Sequence, residues 1–143
     1  MKVLVLHGPN LDRLGSRELS VYGTKTLAEV NDAIMAEAAE LGIEVEIHQT
    51  AREGEIIERL HSAIDDVGGV VLNPAAFAHT SRAIADAIRA VPYPVIEVHL
   101  SNIHAREPWR RRSVTAEAAT GIVAGFGSDS YRAALRLVKG LVS

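Results

Sequence analysis

At 143 residues the chain suits one domain that buries most of its apolar surface in one core. It holds no cysteine, which excludes disulfides, thiolate nucleophiles and cysteine-ligated metals and fits a reducing cytoplasm. A formal net charge of -3 argues against nucleic acid as the main partner, and no apolar run reaches the roughly 20 residues that cross a bilayer.

Lys2 to His7 is an apolar run stopped by Gly8-Pro9, and it reads as a buried parallel strand rather than a secretory signal. Leu11 to Gly23 has no clean period, so a long functional loop is expected there. Leu27, Val30, Ile34, Ala38 and Leu41 fall on one helical face, with Thr26 and Glu29 placed as a capping box and Gly42 as the stop. Val45 and Ile47 alternate in a second strand. Ile56, Ile57, Leu60, Ala63, Ile64 and Val67 mark a second helix that Gly68-Gly69 should close. Val70 to Leu72 is a third strand ending at Asn73-Pro74. Thr80 or Ser81 caps a third helix with Ile84, Ile88 and Val91 inside, ended by Pro92 and Pro94. Val95 to Val98 and Thr120 to Ala124 are the last strands, and a helix from about Ser128 carries Leu135, Val138 and Leu141 or Val142.

Strands alternating with helices imply an α/β fold with helices on both faces of a parallel sheet. Right-handed crossovers make the simplest solution a flavodoxin-like, doubly wound five-stranded sheet in three α/β/α layers. Residues 1–143 are expected to form this single catalytic domain. Ligands bind such sheets beyond the carboxyl ends of the strands. Gly8-Pro9-Asn10, Asn73 to His79 and His99 to Asn102 all fall there, so one cleft should gather them.

The residue types suggest the chemistry of that cleft. Tyr22 shares a loop with Arg17, and an adjacent guanidinium favours phenolate, a base able to take a proton beside a ketone. Asn73 offers a donor and an acceptor at a strand end. His79 reads either as a helix-flanking histidine bonded to backbone or as a ligand contact near a helix start that suits anions. His99 can give a proton to a departing hydroxyl, and Glu97, two residues earlier on the same strand face, can hold its tautomer. The Leu100 N–H and Ser101 could cradle a carboxylate. Arg106 and Arg110 add positive charge, whereas Arg111 and Arg112 read as a solvated run. Together these residues suit proton abstraction beside a carbonyl and loss of a β-hydroxyl. The residues alone stop at a small-anion lyase or isomerase.

The strings GPNLDRLGSRELSVYG, LNPAAFAHTS and IEVHLSNIHAREPWRRRS, with EGEIIERLH in the second helix, resemble the signature regions of the type II 3-dehydroquinate dehydratases (type II dehydroquinases) across the whole chain. The resemblance implies a flavodoxin-like fold, a dodecamer built as a tetramer of trimers, and no cofactor or metal. It also implies anti elimination of water from 3-dehydroquinate to 3-dehydroshikimate through an enolate, in the shikimate or quinate pathway of the cytoplasm. By position it assigns Tyr22 as the base taking the C2 proton, Arg17 as its activator and His99 as the acid on the C1 hydroxyl. Asn10 would position an enolate-stabilising water. Asn73, the Leu100 backbone and Ser101 would contact the carboxylate and C1 hydroxyl, and His79 and Arg110 the ring hydroxyls. Asp86 would reach a neighbouring subunit's site, and Arg106 would be a second arginine near the tyrosine. The chain departs from the usual pattern at His7, Asp12, Leu19, Ala78 and the Thr50-Ala51-Arg52-Glu53 entry, none of which removes a catalytic group.

Rival chemistries are weaker. An imine mechanism needs a lysine, and Lys2, Lys25 and Lys139 lie outside the strand-end motifs. Metal-assisted hydrolysis through His79, His99 and His104 lacks paired helical histidines. A receiver or flavin-binding module would want acidic groups or a hydroxyl-rich loop after the first strand, and no GxxxxGK[ST] phosphate loop is present.

Overall fold

The computed structural model describes all 143 residues. Five parallel strands form one sheet: β1 (Lys2–His7), β2 (Glu44–Gln49), β3 (Gly69–Asn73), β4 (Val95–His99) and β5 (Gly121–Ala124), in the order β2-β1-β3-β4-β5. This is the flavodoxin-like order, whose switch lies between β1 and β3. Register places His7 beside Asn73 across that switch. The helices are α1 (Leu19–Tyr22), α2 (Leu27–Leu41), α3 (Glu53–Ser62), α4 (Arg82–Arg89) and α5 (Ser128–Val142). None is long and apolar enough to cross a membrane.

Strand alternation divides the core in two. Val3, Val5, Val71, Ile96 and Val98 face α2 and α5, where Val30, Ile34, Ala134, Leu135 and Val138 meet them. Leu4, Leu6, Val70 and Leu72 face α3 and α4, through Ile56, Leu60, Ile84 and Ile88. Leu60 is fully buried in this second layer. Leu60→Ala should therefore lower unfolding stability by about 2–5 kcal/mol, read from the denaturant midpoint.

Local signals explain most boundaries. Thr26 and Glu29 close a reciprocal capping box on α2, and Gly42 ends it in the left-handed region at φ 68°. Ser81, not Thr80, caps α4 by accepting the Ile84 N–H at 3.0 Å. α3 stops at Ser62, short of Gly68-Gly69, and a turn follows in which the Asp66 and Val67 N–H groups both return to the Ala63 carbonyl. Gly69 belongs instead to β3. A Cβ there would sit 2.5 Å from Val138 Cγ1, so glycine lets α5 lie against the sheet. α4 likewise ends at Arg89, before Val91, which still packs against the core.

Candidate active site

A cleft of about 550 Å³, counting space open to solvent, lies over the carboxyl ends of β1, β3 and β4. It exists because the chain turns sharply after each strand. Gly8 follows β1, and its N–H reaches the Asn73 carbonyl at 2.8 Å. A Cβ on Gly8 would meet the Pro74 oxygen at 2.7 Å, so only glycine permits this approach. Asn10 then takes a left-handed conformation at φ 69°, which asparagine tolerates better than most residues. The expected loop from Leu11 to Gly23 contains a 3-10 turn at Leu11–Arg13 and the single turn of α1, whose last residue is Tyr22.

Asn10, Arg17, Tyr22, Asn73, His79, His99, Leu100, Ser101, Arg106 and Arg110 all line this cleft. Arg106 Nη1 donates to the Tyr22 hydroxyl oxygen at 2.6 Å, while its guanidinium carbon lies 5.0 Å from the ring centroid. The Arg17 guanidinium carbon stands 4.6 Å from the same centroid, but its Nη2 donates to Glu18 Oε2 at 2.8 Å. Two cations therefore flank one phenol, and the hydrogen bond to its oxygen comes from Arg106 rather than Arg17. Arg106 Nη2 is buried without a hydrogen-bond partner, with Glu18 Oε1 at 3.5 Å.

In the same cleft, His99 Nε2 donates to Glu97 Oε2 at 2.8 Å. A carboxylate only accepts, so this bond leaves Nδ1 for other partners. Glu97 is fully buried on an otherwise apolar strand and needs donors there. Ser113 Oγ supplies one at 2.6 Å, and the Thr115 hydroxyl supplies another to Oε1. Ser113 and Thr115 went unread in the sequence. The available signal was a glutamate inside an apolar strand, which requires buried partners from somewhere.

His79 is bonded to backbone, as the first of its two readings has it, and its ring also lines the cleft. Its Nδ1 bonds the Arg112 carbonyl at 2.8 Å, so the neutral ring keeps Nε2 as an acceptor. The ring stacks 6.3 Å from His99 and meets Trp109 edge-on at 5.2 Å. Burial holds its imidazole below the ordinary range, partly offset by the Arg112 carbonyl. Arg110 lies 4.0 Å over the Trp109 ring and donates Nε to Glu107 at 2.9 Å. Ser101 and Leu100 are buried at the end of β4, and the Leu100 carbonyl accepts the Gly127 N–H at 3.0 Å.

The structure does not bring Asp86 to this cleft. It sits exposed on α4, 3.4 Å from Arg89 Nη1. His104 is exposed as well, so the three-histidine arrangement does not assemble, and no three His, Asp or Glu side chains converge as a metal-ligand set. Lys2, Lys25 and Lys139 bond Asp66, Ser128 and the Leu41 carbonyl, all away from the cleft.

His7, at the end of β1, is fully buried and bonds Tyr131 and Asn31. Burial lowers its pKa from 6.5 to about 4. Between these values an unfolded chain binds a proton that the folded chain refuses. This contribution to stability is therefore complete above pH 6.5 and declines as pH falls toward 4. Denaturant titrations across this window should lose about 3 kcal/mol from this group, and His7→Asn should flatten the decline.

Comparison with known proteins agrees with this architecture. The family model described as dehydroquinase class II matches residues 1–139. The chain is 52% identical over 143 residues to a 3-dehydroquinate dehydratase of Desulforudis audaxviator, covering 100% of this chain and 95% of that protein. It is 51% identical to another from Geotalea daltonii, covering 96% of each. Among solved structures it resembles the type II dehydroquinases of Butyrivibrio crossotus (TM-score 0.95, 38% identity, 97% of each chain) and Propionibacterium acnes (TM-score 0.92, 45% identity, 96% of each chain). A family match over nearly the whole chain, joined to the same fold and about half-identical full-length relatives, places this chain in the dehydroquinase class II family.

Proposed function

We propose that residues 1–143 act as one catalytic domain that eliminates water from 3-dehydroquinate to give 3-dehydroshikimate, as a type II hydro-lyase of the shikimate pathway. Family membership and the names of the half-identical relatives support the reaction. The observation that carries the mechanism is the Arg106-bonded Tyr22 hydroxyl sharing one cleft with a His99 that rests on buried Glu97.

The steps follow from those positions. Tyr22 as phenolate takes the C2 proton, and the electron pair moves onto the ketone oxygen as an enolate. Arg106 and Arg17 stabilise the phenolate before the transfer. Asn10 holds a water against the enolate oxygen. The enolate then collapses, the C1–O bond breaks, and His99 gives a proton to the leaving hydroxyl, which departs as water. Glu97 stabilises the positive charge His99 carries as an acid. The tyrosine proton returns through solvent to His99, so substrate equals product plus one water. Asn73, the Leu100 N–H and Ser101 bind the carboxylate and C1 hydroxyl; His79 and Arg110 bind the ring hydroxyls. Ser101→Ala should raise KM about 3–10-fold with a smaller change in kcat, measured by steady-state kinetics.

The chain works in the cytoplasm as a dodecamer of four trimers, where Asp86 on exposed α4 serves the adjacent subunit's cleft. The reaction is tested by following conjugated enone absorbance from 3-dehydroquinate after exhaustive chelation and after borohydride treatment. Steady enone formation under both conditions supports the reading. No enone, loss on chelation with recovery on adding zinc, or a trapped lysine adduct would overturn it.

A further inference from the structure

We propose that His7 is a positioning residue for substrate binding: acting through Tyr131, it fixes the direction in which the Asn73 carboxamide presents its remaining N–H to the cleft. The inference rests on the reading of Asn73 as a substrate contact. Asn73 is 2% exposed, and both ends of its side chain are engaged inside the protein. Its Oδ1 accepts the Ala75 N–H at 3.0 Å, and its Nδ2 donates to the Tyr131 hydroxyl oxygen at 2.9 Å. One amide N–H is left over.

The remaining hydrogen-bond directions follow in sequence. Tyr131 is 1% exposed and its oxygen already accepts the Asn73 hydrogen bond, so its own O–H needs another acceptor. His7 Nδ1 lies 2.9 Å away. On the far side of the ring, His7 Nε2 is 2.8 Å from Asn31 Oδ1, an oxygen that only accepts. Nε2 therefore carries the ring proton and Nδ1 is bare. The line runs Asn73 to Tyr131 to His7 to Asn31, every donor meeting an acceptor. Flipping the Asn73 amide would set its NH₂ against the Ala75 N–H and deprive His7 Nδ1 of its donor. In a buried site that leaves polar groups unpaired. Burial also keeps the ring neutral, as this direction requires. Register explains the short route, since His7 and Asn73 are neighbours across β1 and β3.

The test is steady-state kinetics with 3-dehydroquinate on Tyr131→Phe, His7→Leu, His7→Asn, the double variant and Asn73→Ala, with thermal melts of each. Tyr131→Phe removes only a hydroxyl, so it carries the test if His7→Leu does not fold. Tyr131→Phe and His7→Leu should each raise KM about tenfold, with kcat within about threefold. His7→Asn places an amide oxygen near the position of Nδ1 and should keep KM within about threefold. Combining Tyr131→Phe with His7→Leu should cost no more than either alone, because one line is broken once. If Asn73→Ala raises KM while Tyr131→Phe moves it less than about twofold, the inference is overturned and the cleft reading stands. Additive effects, or a fall in kcat at constant KM, would also overturn it. An unchanged KM in Asn73→Ala would remove the substrate contact on which both depend.

Discussion

Tyr22→Phe is expected to lower kcat by about 10²–10⁴-fold while leaving KM within severalfold, because it removes the atom proposed to take the proton and no proposed ground-state contact. The geometry gives the reason. The Tyr22 oxygen is the acceptor of the 2.6 Å bond from Arg106, and Arg17 lies over the ring at 4.6 Å. Phenylalanine keeps the ring and both cation–ring contacts and loses only the oxygen. Arg106→Ala and Arg17→Ala should follow the same pattern, and the Arg106 effect should be the larger because only Arg106 touches the oxygen. Single-turnover and steady-state kinetics on the three variants check the order. A Tyr22→Phe enzyme with near-normal turnover would eliminate Tyr22 as the base.

The second large effect is expected at His99. His99→Ala should cut kcat about 10²–10⁴-fold by removing the proposed acid. Glu97→Gln should also lower kcat, by about 10–10²-fold, although Glu97 does not line the cleft. An amide retains one acceptor but loses the negative charge that supports an imidazolium. It also brings an NH₂ against the Ser113 or Thr115 hydroxyl, each of which must then turn. Glu97→Gln kinetics that match the parent enzyme would show that the buried carboxylate serves packing alone. Stability measured alongside separates the effects, since a purely structural role lowers the melting temperature without a change in kcat per folded molecule.

Much of this arrangement was legible in the sequence because β1, β3 and β4 are short, mainly apolar runs ended by glycine, proline or polar clusters. Gly8, Asn73 and His99 mark three strand ends, and a parallel sheet with right-handed crossovers brings such ends together. The capping box at Thr26 and the start of α5 at Ser128 were also readable, since both depend on neighbours in sequence. Gly68-Gly69 misled in the opposite direction. A glycine pair reads as a helix stop, but Gly69 is a strand residue that makes room for Val138 of a helix almost seventy positions later. α1 could not be read because a four-residue helix is one turn and has no period to detect.

The site shows the same division. The Glu97–His99 pair was visible through strand alternation. Its supports, Ser113 and Thr115, come from beyond the Pro108–Arg110 turn and are located only by the fold. Arg106 looked secondary to Arg17 because Arg17 shares the loop with Tyr22. The fold reverses the order by carrying Arg106, 84 residues away in sequence, onto the phenol oxygen. Departures from the usual motif find local accommodation. Ala78 is fully buried and its carbonyl accepts the Val114 N–H at 2.8 Å. Thr50 accepts the Arg52 N–H at 3.1 Å and donates to Glu55 at 3.1 Å, organising the entry to α3.

With Tyr22 as base and His99 as acid, proton removal and loss of the hydroxyl fall to separate groups and should be separable. Exchange of the substrate's C2 hydrogen with deuterium oxide, followed by NMR in the presence of each variant, tests this most directly. His99→Ala is expected still to exchange this hydrogen without releasing water, and Tyr22→Phe to abolish both processes. Exchange that survives in Tyr22→Phe and vanishes in His99→Ala would contradict this assignment.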